Sequence, residues 1–186
     1  MPGSIASTTH TLPLAGSPRA PLFFLSAIMI VPVIGIVAAL GAMHFSPAAA
    51  SIRLPFPEAL LLVPLLLAAL TIWLWRSLAR AGVRIESGDL IVNTGLGSKR
   101  VALSRLHAAG LRVVDLSERP ELRPRWRTWG TSLPGFHSGW FRLRNGEKAV
   151  CLLLDRRRVS YLRSDDGLSL LLSLERPDEL RALIAR

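Results

Sequence analysis

Cysteine is nearly absent from this chain of 186 residues, in which Cys151 is the only one. A single thiol cannot form an internal disulfide, and it excludes the C-x-x-C spacing of structural zinc sites. The lack of disulfides suits a reducing compartment, and Cys151 lies in an apolar run where we expect it to be buried. The four histidines have no i, i+3 or i+4 partner, and His107 and His137 fall in segments interpreted as loops. We therefore predict no metal site.

Sequence signatures of catalysis are also missing. The chain contains no G-x-S-x-G nucleophile motif, and the spacing of its residues indicates no acid–base pair. The glycine-rich segment 93–100, NTGLGSKR, lacks the spacing of a P-loop and lies between two apparent strands, so we interpret it as a hairpin turn. Asp165 and Asp166 precede a glycine and are interpreted as turn residues. We therefore predict neither an enzyme nor a bound cofactor.

Charge is absent from one long stretch of the chain and nearly absent from a second. Residues 21–43 contain no charged side chain, and residues 57–75 contain only Glu58, near one end. A helix of about 20 residues crosses the roughly 30 Å hydrocarbon core of a bilayer. We therefore predict a transmembrane helical hairpin over 21–76, preceded by a flexible cytoplasmic N-terminus over 1–20.

Each of these runs has an alternative interpretation. The first could be a secretory signal that is cleaved at the small residues SPAAA, 46–50. Such signals have an apolar region of about 7–15 residues after a basic stretch, whereas this run is longer and only Arg19 precedes it. The second could be a buried core helix, but no nearby segment could cover it. For both apolar runs, a membrane span fits the sequence better than the alternative.

The placement of arginine predicts the orientation in the membrane. Arg76, Arg80 and Arg84 follow the second run directly, whereas the loop between the runs contains one arginine. Because positively charged flanks stay in the cytoplasm, we predict a multi-pass protein of the bacterial inner membrane with both termini cytoplasmic. Trp73 and Trp75 lie where aromatic rings prefer the headgroup level. The predicted interface anchors are therefore Trp73, Trp75, Arg76 and Arg80.

Lysine is scarce and arginine abundant, a composition that, together with frequent alanine, is typical of GC-rich bacteria. From residue 76 onward the chain has 21 Lys and Arg against 12 Asp and Glu, which gives +9 of the formal net charge of +10. A basic domain gains about 1 kcal/mol for each Lys or Arg near an anionic membrane surface. Attraction to an anionic membrane surface can therefore account for the positive charge without a nucleic-acid partner. Since no recognition fold matches, we expect no nucleic-acid partner.

Short apolar runs separated by turn residues follow from residue 82 and predict a sheet. Asn145-Gly146 predicts a two-residue type I′ hairpin loop, in which Arg144 lies opposite Glu147. The segment 165–167, Asp-Asp-Gly, predicts a second hairpin. About seven antiparallel strands are expected in all.

An amphipathic helix follows the predicted sheet. Pro177 suits the first helical position, and Leu180, Leu183 and Ile184 share one face at helical spacing. The expected order of elements is therefore a set of strands and then one C-terminal helix.

Three short motifs accompany this order: G-T-x-L-P-G at 130–135, G-x-F-x-L at 139–143 and P-x-E-L at 177–180. Together they resemble bacterial PH-like domains of the pleckstrin-homology superfold, which often follow transmembrane helices. The resemblance implies an α+β membrane protein, in which a two-helix transmembrane hairpin precedes a cytoplasmic PH-like β-barrel or sandwich over 82–186. It implies no activity, because such bacterial families are largely without assigned chemistry.

The resemblance also bears on lipid recognition. In lipid-binding members of the superfold, basic residues cluster in the turn between the first two strands. The matching turn here, 86–89, carries Glu86 and Asp89. Acidic residues in place of basic ones in this turn argue against recognition of inositol phosphates. They are compatible with a general electrostatic attraction between the basic domain and anionic headgroups.

Arginine and tryptophan alternate in the segment 123–129, RPRWRTW, which fits no regular pattern. Both residue types are enriched at interaction hot spots and suit a bilayer interface. Two interpretations stay open: a binding edge, or a structural cap in which Trp126 and Trp129 cover an open end of the sheet. The loop segment 155–158, DRRR, is a second basic patch. The candidate interaction surface is therefore Arg123, Arg125, Trp126, Arg127, Trp129, Arg156, Arg157 and Arg158.

These observations together predict a non-enzymatic adaptor that holds a protein-binding surface against the inner leaflet. Its partners would be the lipid bilayer and a protein of unknown identity. Recognition of anionic lipid headgroups by the same basic face is the first alternative. The second is an accessory subunit of a membrane transporter or enzyme complex. Gly35 and Ala39 would then permit close helix packing.

Overall fold

The computed structural model describes residues 10–16, 19–45 and 57–185. These residues form two compact units. One unit is helical and covers Leu22–Arg76, and the other combines the chain up to Pro21 with the chain from Ser77 onward. The second unit is mostly β-structure, and it takes residues from both sides of the helices.

The helical unit is built from α1 (Arg19–Phe45) and α2 (Pro57–Ala79), whose bounds lie within a few residues of the predicted spans. Each helix contains one internal proline, Pro32 or Pro64, which removes a backbone donor without ending the helix. Many apolar side chains along both helices are exposed, and Phe23 is 75% exposed. Exposed apolar surface of this density is typical of a face that contacts lipid or another protein.

Among the described residues, one helix is long and apolar enough to cross a membrane, with its apolar segment at Leu62–Ala79. A shorter apolar stretch runs over Ser26–Ala39 in α1. The two-span hairpin therefore stays a prediction. The connecting loop and the alternative cleavage site, both within 46–56, lie outside the described residues.

The N-terminal segment differs from its prediction as a flexible region. His10–Leu12 forms β1, which pairs antiparallel with β2 (Gly82–Glu86) so that Leu12 lies opposite Val83. Leu12 is buried. The prediction is wrong for residues 10–12, because three paired residues are too few to leave a periodic pattern in the sequence.

The first four strands form an antiparallel sheet in sequence order, with β3 at Asp89–Asn93 and β4 at Ser98–Ala102. Ser87 and Gly88 join β2 to β3, and their φ angles of 54° and 82° form a type I′ turn. The glycine-rich segment 93–100 joins β3 to β4 as a hairpin, which confirms its interpretation from the sequence.

The second sheet has six strands in the spatial order β5-β9-β10-β8-β7-β6. Its strands are β5 (Arg112–Val114), β6 (Pro124–Leu133), β7 (Phe136–Leu143), β8 (Lys148–Leu153), β9 (Val159–Arg163) and β10 (Ser169–Leu172). β10 lies between β8 and β9, antiparallel to β9 and parallel to β8. The predicted hairpin between β9 and β10 is confirmed, but the expectation of about seven antiparallel strands is wrong in number and at the parallel pair. Periodicity locates strands and does not say which distant strands will pair.

The centre of this sheet is covered on both faces. Every residue of β10, and every residue of β8 after Lys148, is buried. On one face a cluster around Phe141 is covered by Leu116 and Leu122 from the β5–β6 connection. Cys151 belongs to this cluster and is fully buried, as predicted, and burial raises the pKa of its thiol. Strands that are buried on both faces account for the nearly continuous apolar runs in this part of the sequence.

The last element is the helix α3 (Pro177–Ile184), which begins at the proline that predicted it. Leu180 is fully buried, and Arg181 Nη2 donates to the carbonyl of Leu111 at 3.2 Å. The two sheets and this C-terminal helix confirm the predicted order of elements in outline.

The hairpin between β7 and β8 differs from its prediction by one residue in register. The N–H of Leu143 donates to the carbonyl of Glu147 at 2.9 Å, which leaves a three-residue loop. Gly146 has a φ of 88° and Asn145 does not have a positive φ, whereas a type I′ turn needs both. Arg144 therefore lies in the loop and does not face Glu147.

Candidate functional site

The segment of alternating arginine and tryptophan lies in β6, an edge strand of the six-stranded sheet. Its register against β7 shifts between Pro124 and Trp126 and again between Arg127 and Trp129. Bulges of this kind redirect side chains and disturb an edge that could otherwise pair with another strand. They also explain why the segment fits no two-residue period and did not look like a strand in the sequence.

Both tryptophans of this segment are exposed, Trp126 by 64% and Trp129 by 62%. The guanidinium of Arg125 lies 5.8 Å from the ring centre of Trp126, within the range of a cation–π contact. The indole N–H of Trp129 donates to the carbonyl of Leu96 at 3.2 Å, so this ring also contacts the β3–β4 loop. The exposure favours a binding edge at Trp126, and the contact with Leu96 fits a cap at Trp129.

A cavity of about 240 Å³ lies beside the start of β6. Half of the residues that line it are arginines, and the full lining is Leu116, Arg123, Pro124, His137, Arg144 and Arg156. We call this cavity the arginine pocket. Leu116 is shared between the pocket wall and the buried cluster around Phe141, so the pocket borders a packed core.

Arg123 is held in the pocket by backbone carbonyl groups. Its Nε donates to the carbonyl of Leu116, and its Nη2 donates to the carbonyl of Ser117 at 2.7 Å. Asp115 fixes this turn, because its Oδ1 accepts from both the N–H and the hydroxyl of Ser117, each at 2.6 Å. These bonds from Ser117, with a smaller effect of nearby arginines, lower the pKa of Asp115.

Arg156 is held by His137, which the sequence pattern placed in a loop and the structure places in β7. Arg156 Nη2 lies 3.0 Å from His137 Nε2, and Ser132 Oγ lies 2.8 Å from His137 Nδ1. A guanidinium can only donate, so Nε2 accepts and the imidazole is neutral, with its proton on Nδ1. Burial first, and then the charge of Arg156, lower the pKa of His137 below its usual value of 6.5. At neutral pH the positive charge of the pocket therefore belongs to the arginines.

Arg144 reaches the pocket from the β7–β8 loop. Its own N–H donates to the carbonyl of Arg123 at 3.1 Å. The carbonyl of Arg156 accepts from the N–H of Leu116 at 2.8 Å. Backbone hydrogen bonds thus tie together the three connections that surround the cavity.

Six arginines in other parts of the β unit are paired with acidic side chains. Arg105 contacts Asp166 at 2.7 Å, and Arg163 contacts Glu147 at 3.3 Å. Seven close contacts between a basic and an acidic side chain occur among the described residues, six from arginine and one from His107, and none of them includes an arginine of the pocket. The pocket therefore holds three arginines that form no ion pair in that part of the chain, and the carboxylate of Asp115 affects Arg123 only from beyond ion-pair distance.

The turn at 86–89, unlike the arginine pocket, contains acidic side chains that pair with nearby arginines. Glu86 pairs with Arg84 at 3.7 Å, and Asp89 pairs with Arg100 at 3.8 Å. The nearby arginines are thus partnered by acidic residues of the turn itself. The excess of positive charge lies at the arginine pocket and not at this turn.

The structure brings two of the predicted interaction residues into the pocket, Arg123 and Arg156. Four more lie along β6 outside its lining: Arg125, Trp126, Arg127 and Trp129. Arg157 and Arg158 are exposed in the β8–β9 loop. The predicted interface anchors lie at the end of α2 (Trp73, Trp75, Arg76) and just after it (Arg80).

Two pocket residues were missed by reasoning from the sequence. Arg144 was assigned to a pair with Glu147, and His137 was dismissed because it has no histidine or cysteine neighbour at ligand spacing. Their proximity depends on strand register and on contacts between distant loops, and no local pattern reports it. Among the residues that the structure describes, no group of three or more His, Cys, Asp or Glu could hold a metal ion.

Comparison with known proteins identifies the β unit. No curated protein and no solved structure matches the chain. The family described as "Bacterial PH domain" matches residues 82–185, which is more than half of the chain. PH domains are generally non-catalytic modules that bind lipids or proteins, and this agrees with a site made of exposed aromatic and basic side chains. The chain therefore belongs to the bacterial PH domain family.

Proposed function

We propose that this protein is a membrane-tethered adaptor that presents its PH domain to a protein partner at the cytoplasmic face of the bacterial inner membrane. The observation that carries this proposal is the exposure of Trp126 and Trp129 among arginines on an edge strand. Tryptophan and arginine provide much of the binding energy at protein interfaces, because each offers a large contact area.

The pairing of β1 with β2 supports two membrane crossings. β1 precedes α1 and β2 follows α2, and paired strands must lie on the same side of a membrane. One crossing between them would separate the strands, whereas two crossings keep them together. The arginines that follow α2, Arg76, Arg80 and Arg84, favour the cytoplasm as that side.

Cysteine labelling tests this topology, because the single natural cysteine is buried. Ser51→Cys lies in the loop between the proposed spans, and Ser104→Cys lies on the exposed surface of the β unit. We expect a membrane-impermeant maleimide to label Ser51→Cys in intact spheroplasts and Ser104→Cys only after permeabilisation. Labelling of Ser104→Cys in intact spheroplasts, or release of the chain by a carbonate wash, would contradict the proposal.

Affinity purification of the solubilised full chain tests the binding edge. We expect one protein to co-purify with the wild type at about 500 mM salt, where the attraction between exposed charges is screened. The variant Trp126→Ala should lose that protein. Val113→Ala is the matched control, because Val113 is exposed on β5, the opposite edge of the same sheet.

The outcome for the two variants decides the interpretation. If Trp126→Ala retains the partner, β6 is not the binding edge. Equal loss of the partner in both variants would indicate that the substitutions disturb the fold.

Attraction to anionic lipid is the second candidate function, and the net charge of +9 from residue 76 onward favours it. Binding to anionic nanodiscs that disappears at about 500 mM salt, without a protein partner, would support that candidate.

A further inference from the structure

We propose that the arginine pocket binds a phosphate group, carried either by a lipid headgroup or by a soluble phosphate ester. The proposal concerns a site separate from the exposed tryptophans of β6, and it does not depend on membrane tethering. Three side chains would contact the phosphate, Arg123, Arg144 and Arg156, and His137 orients Arg156.

The positive charge of the pocket exceeds the negative charge around it, because Asp115 interacts with Arg123 only from beyond ion-pair distance and is bonded to Ser117. Arg123 is oriented by two carbonyl groups and Arg156 by a neutral imidazole, and none of these partners carries a net charge. Among the described residues no ion pair includes Arg144 either. Three guanidinium groups around one small cavity repel one another, and an anion between them removes that repulsion.

Arg123 and Arg156 are already oriented in the pocket by hydrogen bonds. Two N–H groups of Arg123 are fixed by the turn at Leu116 and Ser117, and backbone bonds link that turn to the residue 156 loop and to the residue 144 loop. A site with fixed donors loses less conformational freedom when its ligand binds. Two of the three pocket arginines are held in this way, and the side chain of the third, Arg144, is exposed.

The pocket suits a phosphate group better than a carboxylate. A carboxylate has two oxygens and one charge, which a single guanidinium satisfies through two parallel hydrogen bonds. A phosphate group offers more acceptor oxygens and up to two charges, and this matches three guanidinium groups better. The cavity of about 240 Å³ has Leu116 and Pro124 in its wall, so a phosphate ester with a short carbon chain would have apolar contacts there.

The experiment uses the full chain in detergent micelles and in phosphatidylcholine nanodiscs. Inorganic phosphate and glycerol 3-phosphate are titrated as soluble probes by isothermal calorimetry. In a second arm, quenching of the tryptophans by brominated phosphatidic acid in the nanodiscs is compared with quenching by the same fraction of brominated phosphatidylcholine, because Trp73 and Trp75 would contact either lipid. Saturable binding of either soluble probe assigns the site to a soluble phosphate ester, and binding in the lipid arm alone assigns it to a headgroup.

Three variants test whether the pocket is responsible. We expect Arg144→Gln and Arg156→Gln each to weaken binding by about tenfold or more, because each removes a charged donor. Arg142→Gln removes the same charge from an exposed position on β7 that does not line the pocket, and it should change affinity by less than about twofold.

Circular dichroism melts establish that each variant is folded. Two independent pocket variants keep the test decisive if one of them unfolds. The proposal is overturned if no phosphate probe binds in either arm. It is also overturned if Arg142→Gln weakens binding as much as the pocket variants, since bulk charge would then explain the effect.

Discussion

The two halves of β6 pair with the same strand, β7, and differ in almost every other respect. From Gly130 to Leu133 the register is continuous, and Gly130 lies directly opposite Gly139. From Pro124 to Trp129 the register shifts twice, and most side chains are exposed. In the regular half the backbones of β6 and β7 pack closely at Gly130 and Gly139, and in the bulged half most side chains are exposed to solvent. One half of this edge strand therefore contributes to the stability of the sheet, and the other half presents exposed side chains. Substitutions in the regular half should lower the free energy of unfolding more than substitutions in the bulged half.

The largest effect is expected from Gly139→Ala, in the scaffold opposite the regular half. Gly139 has a φ of 128°, and a Cβ there would overlap the carbonyl of Trp129 and lie 2.6 Å from the Cα of Gly130. We expect a loss of about 3 kcal/mol or more in the free energy of unfolding, measured by denaturation of the full chain in micelles.

The control for this variant is Gly135→Ala, in the loop that joins β6 to β7. Gly135 also has a positive φ, 75°, but a Cβ there would meet no atom within 4 Å. Only the backbone conformation is then penalised, at about 1–2 kcal/mol. Equal losses in the two variants would show that the close approach of Gly130 and Gly139 is unimportant.

The next effect is a pH dependence that comes from His137, which lies opposite Ser132 in the regular half. Burial and Arg156 lower the pKa of His137 in the folded chain, so as pH falls below about 6.5 the unfolded chain takes up this proton first. Stability is therefore present above pH 6.5 and is lost as the pH falls through the folded pKa. The slope stays below about 1.4 kcal/mol per pH unit, and solvent screening of the partly exposed ring reduces it further.

The variant His137→Gln removes this titration and keeps a side chain that can form hydrogen bonds. Thermal melts between pH 7.5 and pH 5 should show a smaller fall in Tm for the variant than for the wild type. Parallel pH profiles would mean that His137 is protonated equally in the folded and unfolded chains. The other histidines are common to both proteins and cancel in the comparison.

A smaller change is expected from Trp129→Ala, at the boundary between the two halves. The ring is 62% exposed and donates one hydrogen bond, to Leu96. Its removal should cost about 1 kcal/mol in the free energy of unfolding, close to the net contribution of one such bond. The variant Trp129→Phe keeps most of the ring and loses the donor. If it is as stable as the wild type, the hydrogen bond to Leu96 contributes nothing.

The smallest change in stability is expected from Trp126→Ala, in the bulged half. Its ring is 64% exposed and lies within cation–π range of the side chain of Arg125. We expect the free energy of unfolding to change by less than about 0.5 kcal/mol, as for ordinary surface substitutions. A loss above about 1 kcal/mol would show that Trp126 is a structural cap and that the two halves of β6 do not divide as described.

Much of the fold could be predicted from the sequence where the information is local. The turn at 165–167, the helix that begins at Pro177 and the burial of Cys151 all follow from residue type and spacing. The motifs around Gly130 and Gly139 indicated the family that the comparison establishes. These features depend on a few neighbouring residues, and local physical rules suffice for them.

The remainder depends on contacts between distant segments. β1 is recognisable only through its pairing with a strand 70 residues later, since Leu12 lies opposite Val83 and Thr11 opposite Arg84. Asn145-Gly146 predicts a two-residue loop, and packing of the whole sheet selects a loop of three residues. The arginine pocket depends on that choice, because the longer loop includes Arg144. A difference of one residue in the length of the β7–β8 loop therefore determines whether Arg144 can be predicted to line the pocket.

The position of β10 has a consequence for how the protein is made. β10 is the last strand in chain order and lies at the centre of its sheet, between β8 and β9. Without residues 169–172, β8 and β9 each have an unpaired inner edge. Unpaired edges of apolar strands can pair with other chains and aggregate. A nonsense mutation shortly before Ser169 should produce an aggregating product and not a smaller stable domain.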